Sequence, residues 1–203
     1  MAQRLLLLRH ARVPLEFQGK LIGSTDVALD RCGELQARRQ AERVARWEPR
    51  VCFSSPLRRC RQTASSVVPE LSVQFDAELR EIDFGRWETC TFAEAADDDP
   101  GLTDRWAAFA PDFAFPDGED VAGFLRRVRA VAERLIRQPA QTVLAVTHGG
   151  VIRAMICHLI GLEPQHYVAF HVPYAALAVI DLCDGKGVLA ALERPDATEV
   201  GCG

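Results

Sequence analysis

The sequence predicts a single α/β domain built on a mostly parallel sheet with an antiparallel edge. Short, unbroken apolar runs, typical of strands buried on both faces, alternate with longer runs that have helical spacing. Two apolar runs near the end flank a glycine-containing turn, which predicts a hairpin. No repeat and no linker interrupts the alternation, so residues 1–203 are predicted to form one domain.

The strands are predicted from five apolar runs. Residues 4–8 are too continuously apolar for a half-solvated strand and predict a central parallel one, and residues 50–54 predict a second strand. Residues 142–147 (TVLAVT) are β-branched and apolar throughout. Residues 175–182 and 188–193 flank the Asp-Gly-Lys-Gly turn at 184–187, and together they predict the antiparallel edge.

Helices are predicted between these strands. Residues 33–47 and 117–138 carry apolar side chains at helical spacing. Ser55-Pro56 predicts a helix start, with Ser at the N-cap, and the helix is expected to continue to about residue 68. The last helix is predicted to follow His148-Gly149-Gly150 and to end near residue 159.

Residues 86–117 differ from the rest of the chain. They are acidic and aromatic, they include Pro100, and only Arg86 and Arg105 are basic. Such a stretch predicts an inserted lid over a site and not a separate domain.

Composition excludes several function classes. The net charge of −4 argues against a nucleic-acid partner. No run approaches the roughly 20 apolar residues of a membrane helix, and the first apolar run is too short for a signal peptide. Seven scattered cysteines predict reduced thiols, with no zinc site. A cytoplasmic location is expected; the oligomeric state is left open.

Unusual residues follow three of the predicted strands. Arg9-His10 ends the first strand, Arg58 lies in the first turn of the helix after the second, and His148-Gly149 follows the best strand. Ligands of open α/β sheets bind at the carboxyl ends of strands, so these residues should converge. Two guanidinium groups and two helix N-termini favour an oxyanion, and phosphate is the natural one.

The residue types at this site suit phosphoryl transfer. One neutral histidine can attack phosphorus while the other stabilises the equatorial oxygens, and neighbouring arginines favour the neutral form of the nucleophile. The leaving alkoxide needs a proton donor. Glu81 is the leading candidate, and its rivals are Glu78, Asp83 and Glu88.

Other chemistries fit less well. Cys52 and Arg58 have the C-x5-R spacing of cysteine-dependent phosphatases, but the loop between them has no glycine and contains Pro56. An esterase would need a G-x-S-x-G elbow, which the chain lacks. An inactive relative serving as a scaffold is disfavoured by the intact set of candidate residues. Arg59 and Arg61 are expected on a solvated helix face.

Four motifs resemble those of the histidine phosphatase superfamily, also called the phosphoglycerate mutase-like family. They read RHA at 9–11, SSPLRRCRQTA at 54–64, LREIDFGRWE at 79–88 and THGG at 147–150. Ala11 and Glu16 depart from the family pattern, which has glycine after the histidine and often Asn six residues after it.

The resemblance implies a three-layer α/β/α sandwich and a metal- and cofactor-independent phosphatase acting on small phosphomonoesters. It implies that His10 becomes phosphorylated and that Arg9 and Arg58 clamp the phosphate. It further implies that His148 stabilises the transferring group and that Glu81 moves the proton, while Gly149 lets the backbone approach the phosphate. Phosphoglycerate mutase and broad-specificity sugar-phosphate phosphatase are the alternatives within the family.

Overall fold

The computed structural model describes residues 3–110, 112–183 and 186–195. Its core is a six-stranded sheet in the order β3-β2-β4-β1-β5-β6. The strands are β1 (Gln3–Arg9), β2 (Val51–Ser54), β3 (Val73–Phe75), β4 (Thr142–Thr147), β5 (Leu177–Cys183) and β6 (Lys186–Glu193). The α-helices are α1 (Arg31–Ala45), α2 (Arg58–Val67), α3 (Phe92–Asp98), α4 (Pro100–Ala107), α5 (Val121–Ile136) and α6 (Gly149–Ile160).

The strand directions confirm the predicted mixed sheet. β1 pairs in parallel with β4, and β2 pairs in parallel with β4 and β3. β5 runs antiparallel to both β1 and β6. The residues 184–185 of the predicted hairpin turn lie outside the described residues. The carboxyl ends of β1, β2 and β4 therefore meet at one edge, where the candidate residues follow.

Alternate side chains of β1 pack on opposite faces of the sheet. Leu5 and Leu7 belong to a hydrophobic cluster with residues of α5 and α6, such as Val131 and Ile152. Leu6 and Leu8 belong to a second cluster, which contains Val44 of α1 and residues of α2. Helices thus cover both faces, which confirms the α/β/α sandwich.

The start of α2 differs from the prediction. The helix begins at Arg58 after an N-cap at Leu57, which provides no side-chain cap. Instead, Asp26 from a distant loop accepts a hydrogen bond from the Arg58 backbone N–H at 2.6 Å. Ser55 therefore does not cap α2. It is buried, and its Oγ lies 2.9 Å from Nε2 of His148.

The 86–117 segment contains α3 and α4 and a tight group of aromatic rings. Trp87, Trp106, Phe113 and Phe115 pack against one another, and Phe84, just before the segment, packs against Trp106 and Phe115, with ring centroids 4.9 to 6.5 Å apart. Trp87, Phe113 and Phe115 are buried in the same cluster as the face of the sheet next to α5 and α6. That the 86–117 segment acts as a lid, and that residues 1–203 form a single domain, stay predictions.

The cysteines are only partly as predicted. Cys52, Cys60, Cys90, Cys157 and Cys183 are free, but Cys32 is disulfide-bonded, so the expectation of reduced thiols is wrong for Cys32. The cytoplasmic location stays a prediction. Among the helices of the described residues, none has the length and hydrophobicity needed to cross a bilayer.

Candidate active site

A cavity of ≈ 200 Å³ lies at the carboxyl ends of the central strands. Arg9 and Thr147 end β1 and β4 as register partners, so the next residues, His10 and His148, lie side by side. Their ring centroids are 5.2 Å apart. The predicted residues lining the cavity are Arg9, His10, Glu81 and Gly149, and the residues not predicted there include Lys20, Arg59, Arg153 and Tyr174.

His10 is held in one tautomer. Its side-chain Nδ1 lies 2.9 Å from the carbonyl oxygen of Ala11, and because a carbonyl only accepts, Nδ1 must carry the proton. Burial, and secondarily the charges of Arg59 and Arg9, lower the pKa of His10 well below its ordinary value of 6.5. The ring is therefore neutral, and its unprotonated Nε2 has the lone pair that a nucleophile needs.

Arg9 is clamped by residues that precede β5. Its Nη1 donates to the carbonyl of Val172 at 2.7 Å, and its guanidinium carbon lies 4.3 Å from the centre of the Tyr174 ring. Its Nε is buried and has no hydrogen-bond partner among the described residues. A buried donor without an acceptor is costly, so an anion in the cavity would supply what is missing.

Arg59, and not Arg58, provides the second guanidinium of the cavity. Arg59 has no solvent exposure, whereas the side chain of Arg58 is exposed and does not line the cavity. Arg59 donates through Nη1 and Nη2 to the carbonyls of Thr25, Ile22 and Gly23, and through Nε to His148 at 3.3 Å. The predicted placement of Arg58 at the site, and of Arg59 on a solvated face, is wrong.

His148 contacts Arg59 and does not itself line the cavity. Because the Nε of Arg59 can only donate, Nδ1 of His148 accepts, and the proton of the neutral ring sits on Nε2, facing the hydroxyl of Ser55. Burial, followed by the charge of Arg59, lowers the pKa of His148 well below its ordinary value. The structure thus brings His148 to the cavity residue Arg59, and its predicted action on the transferring phosphoryl group stays a prediction.

Glu81 lines the same cavity as His10. Its Oε2 accepts a hydrogen bond from the backbone N–H of Gly150 at 2.9 Å, which ties the carboxyl to the first turn of α6. A Cβ at position 150 would lie 2.5 Å from Oε1 of Glu81, so only glycine leaves room for this contact. The carboxyl of Glu81 is thus placed by the helix that follows His148.

Two of the rival carboxylates, Glu88 and Asp83, have structural partners instead. Glu88 accepts hydrogen bonds from the backbone N–H groups of Gly23, Ser24 and Thr25. It thereby holds the loop whose carbonyls bind Arg59. Asp83 accepts from Ser24 and Gly85. Glu88, Asp83 and Glu78 are absent from the cavity lining.

A second, apolar cavity of ≈ 240 Å³ adjoins the first. The two cavities share Leu21, Glu81, Phe84, Gly150 and Arg153 as lining residues. The aromatic side chains around the second cavity are Phe84, Trp106, Phe109, Phe115, Phe124 and Tyr167. A ligand can therefore hold an anionic group beside His10 and an apolar body among these rings, with Glu81 at the junction.

The described residues contain no cluster of His, Cys, Asp and Glu side chains that could hold a metal ion. Cys52 is fully buried, and burial raises its pKa to about 12. A thiol with such a pKa is not a thiolate near neutral pH, which disfavours the cysteine-phosphatase alternative.

Comparison with known proteins decides the family. Residues 5–194 match the family model of the histidine phosphatase superfamily (branch 1). The chain belongs to this superfamily.

The names of the chain's relatives differ in substrate. The chain is 30% identical to phosphoserine phosphatase 1 of Hydrogenobacter thermophilus, over 93% of this chain and 91% of the relative. It is 30% identical to glucosyl-3-phosphoglycerate phosphatase of Mycobacterium tuberculosis, over 83% and 80% of the two chains. The α-ribazole phosphatase structure from Shigella flexneri superposes with a TM-score of 0.85 at 27% identity, covering 95% and 96%.

The pattern of the second family motif, S-x-L-x-R-[CA]-x-x-T-A, explains why Arg59 and not Arg58 lines the cavity. Aligned residue by residue, S-x-L-x-R-[CA]-x-x-T-A starts at Ser55 and places its arginine at Arg59, with Cys60, Thr63 and Ala64 in register. Because the helix was predicted to start at Ser55, Arg58 was placed in its first turn and was assigned as the arginine of the motif. Counting along the motif would have found Arg59 without a structure.

The two residues at which the chain departs from the family pattern, Ala11 and Glu16, lie outside the cavity. Ala11 is fully buried, and its N–H donates to Thr63 at 3.0 Å. Glu16 is exposed on a short 3-10 helix, Leu15–Phe17, and lines neither cavity. Neither residue therefore adds bulk or charge to the lining of the cavity.

The sequence analysis did not place three further residues of the cavity, Lys20, Arg153 and Tyr174, at the site. Lys20 and Tyr174 come from loops, and Arg153 lies one helical turn after Gly149 and Gly150. The spacing of three to four residues on α6 could have indicated Arg153, because it places these residues on one face. Nothing in the spacing indicates Lys20 or Tyr174.

Proposed function

We propose that the chain hydrolyses phosphomonoesters through a phosphohistidine at His10. The observation that carries the proposal is the state of His10: its ring is neutral, and the carbonyl of Ala11 fixes the proton on Nδ1. Nε2 is thereby left as the nucleophile in a cavity lined by Arg9 and Arg59.

The first step moves the phosphoryl group to His10. Nε2 attacks phosphorus in line, the bond between phosphorus and the ester oxygen breaks, and the carboxyl of Glu81 protonates the leaving alkoxide. Negative charge on the equatorial oxygens is stabilised by Arg9 and Arg59, which a fixed, buried site does at little reorganisation cost. The position of Glu81 between the two cavities suits a group that must reach the ester oxygen.

The second step returns the enzyme to its starting state. The carboxylate of Glu81 removes a proton from a water molecule, which attacks phosphorus and releases inorganic phosphate from Nε2. In both steps His148 acts by orienting Arg59, which it contacts at 3.3 Å, and Gly149 permits close approach of the helix N-terminus to the phosphate. No step requires a metal ion.

The second cavity supports a substrate with one phosphate and an apolar or aromatic body. α-Ribazole 5′-phosphate, an intermediate of cobalamin biosynthesis, is our candidate, because it combines a phosphate with an aromatic base. The similarity to the α-ribazole phosphatase of Shigella flexneri supports it. The stretch PDGEDVAGFLRRV at 116–128 and the run beginning THGG at 147 resemble segments of α-ribazole phosphatases.

A phosphoglycerate mutase would need cations for a second charged group. In the 86–117 segment, Arg86 pairs with Asp98 at 3.3 Å and Arg105 pairs with Asp112 at 2.9 Å. Neither arginine lines either cavity. The described residues of the 86–117 segment therefore supply no cation to either cavity, and on this point the chain favours hydrolysis over the mutase reaction. Lys20 and Arg153, which do line the first cavity, come from other parts of the chain.

The test is turnover of p-nitrophenyl phosphate in the presence of EDTA, by wild type and His10→Ala. We expect metal-independent hydrolysis, an acid-labile phosphoenzyme with wild type, and loss of both with His10→Ala. Substrate choice is then read from a screen of α-ribazole 5′-phosphate, phosphoserine, 3-phosphoglycerate, fructose 2,6-bisphosphate and simple sugar phosphates. Activity that requires a metal, or that survives in His10→Ala, would refute the mechanism. A folded wild type without any turnover would support the inactive-scaffold alternative.

A further inference from the structure

Arg153 is a cation that the reaction above does not use. It lines both cavities, and its Nε donates to the carbonyl of Phe170 at 2.9 Å, which fixes the guanidinium at the junction. Among the described residues no carboxylate forms an ion pair with it. The contrast is Arg127, which pairs with Glu119 at 2.6 Å.

The position of Arg153 separates it from the phosphate-binding groups. Arg9, His10 and Arg59 line only the first cavity, whereas Arg153 and Glu81 line both. Glu81 is the group proposed to protonate the ester oxygen. A residue at the same junction faces the atoms next to that oxygen, which belong to the leaving group.

We propose that Arg153 forms a carboxylate-binding subsite for the leaving group. A guanidinium beside an apolar wall, without a carboxylate of the protein, offers strong hydrogen bonds to an anion. The substrate class is therefore a phosphomonoester with a carboxylate a few bonds from the ester oxygen, as in phosphorylated hydroxy acids. This inference rests on the proposed function, and within it favours acidic substrates over the uncharged body of α-ribazole 5′-phosphate.

The experiment compares two substrates that differ only in the carboxylate, phosphoserine and phosphoethanolamine. With wild type, we expect kcat/KM for phosphoserine to be higher by about tenfold or more. Arg153→Met should lower kcat/KM for phosphoserine by about 10- to 100-fold, and should change that for phosphoethanolamine and p-nitrophenyl phosphate by less than about threefold. Arg153→Lys should restore part of the preference, because it keeps the charge but not the fork.

Arg126→Met is the matched control, since Arg126 is an exposed arginine of α5 that lines neither of the two cavities. It should behave as wild type with all three substrates. The subsite is refuted if wild type shows no preference for phosphoserine, or if the preference persists in Arg153→Met. Equal losses on all three substrates in Arg153→Met would also refute it, because Arg153 would then serve the phosphate or the fold. A wild type that hydrolyses none of them instead overturns the proposed function, and the inference falls with it.

Discussion

Arg58 and Arg59 are adjacent in the chain, yet their environments are opposite. Arg59 is buried and makes four hydrogen bonds to loop carbonyls and His148, while Arg58 is exposed. Successive helical residues point about 100° apart, so one faces the cavity and the other the solvent. Which of the two arginines can contact a ligand in the cavity is therefore decided by a shift of one residue along α2.

Substitution of the two arginines by Met tests this assignment. Arg59→Met should lower kcat/KM for p-nitrophenyl phosphate by about 100- to 1,000-fold, because the oxyanion loses a fixed charge. Arg58→Met should change it by less than about twofold. Arg59→Lys, which keeps the charge, distinguishes lost catalysis from lost folding when circular dichroism is recorded in parallel. A large loss with Arg58→Met would restore the original assignment.

Gln40 is a buried polar residue whose side chain makes no hydrogen bond within the described part of the chain. It lies on the buried face of α1, is 1% exposed, and neither polar atom of its amide has a hydrogen-bond partner among the described residues. An unsatisfied buried amide costs free energy. Gln40→Leu should therefore raise the free energy of unfolding by about 1 kcal/mol, measured by urea denaturation.

Gln36 provides the control for Gln40 on the same helix. Its Oε1 accepts the N–H of Arg12 at 3.0 Å. Gln36→Leu should lower the free energy of unfolding by about 1 kcal/mol, since that N–H loses its partner. If both substitutions destabilise equally, the amide of Gln40 has a role that its surroundings do not reveal.

At the scale of elements, α6 connects His148, which lies beside the nucleophile His10, to the proton donor Glu81. The helix begins directly after His148, and its residue Gly150 binds Glu81 through the backbone. A Cβ at position 150 would meet the carboxyl of Glu81, the mobile end of a side chain, and not the backbone. Crowding there should displace the carboxyl without disrupting the fold.

Gly150→Ala therefore separates activity from stability. We expect kcat for p-nitrophenyl phosphate to fall by about 100-fold, since small displacements of a catalytic group are costly. The free energy of unfolding should change by less than about 1 kcal/mol. Gly101→Ala, a helical glycine of α4 with only a 3.7 Å contact to Asp99, is the control and should leave both quantities near wild type. Unchanged kcat in Gly150→Ala would argue against Glu81 as the proton donor.

The strands and helices differ in how well the sequence predicts them. β4 agrees with the predicted residues 142–147, because an unbroken β-branched run has one reading as a buried strand. β3 was not predicted, since three residues with mostly exposed side chains carry little pattern. The start of α2 was misplaced because the cap comes from Asp26, a tertiary contact that no local rule describes.

The site shows the same division. Arg9, His10, Glu81 and Gly149 could be placed at one cavity from strand ends and motifs, and the structure brings them together. Lys20 and Tyr174 could not, because loops of distant sequence position deliver them to the cavity. The proton on Nδ1 of His10 could not be predicted either, since it depends on the geometry of one carbonyl.

At the scale of the whole molecule, folding keeps two neutral imidazoles beside two guanidinium groups. His10 and His148 are 5% and 1% exposed, and burial lowers both pKa values well below the ordinary 6.5. The unfolded chain therefore binds protons below pH 6.5 that the folded chain does not. By linkage, stability contributed by the neutral rings is present above pH 6.5 and is lost as the pH falls below it.

We expect the free energy of unfolding to fall by about 1 kcal/mol for each of the two histidines between pH 7 and pH 5.5. Urea denaturation at several pH values would measure this slope. In His10→Gln and in His148→Gln the slope should be shallower than in wild type, because each variant removes one of the groups whose pKa is lowered in the folded chain; His158, whose pKa burial also lowers, contributes to the slope that remains. His166→Gln, which changes an exposed histidine outside the site, should keep the wild-type slope. A slope that is the same in all four proteins would mean that folding does not lower the pKa of either ring, which would contradict the buried, neutral state assigned to His10 and His148.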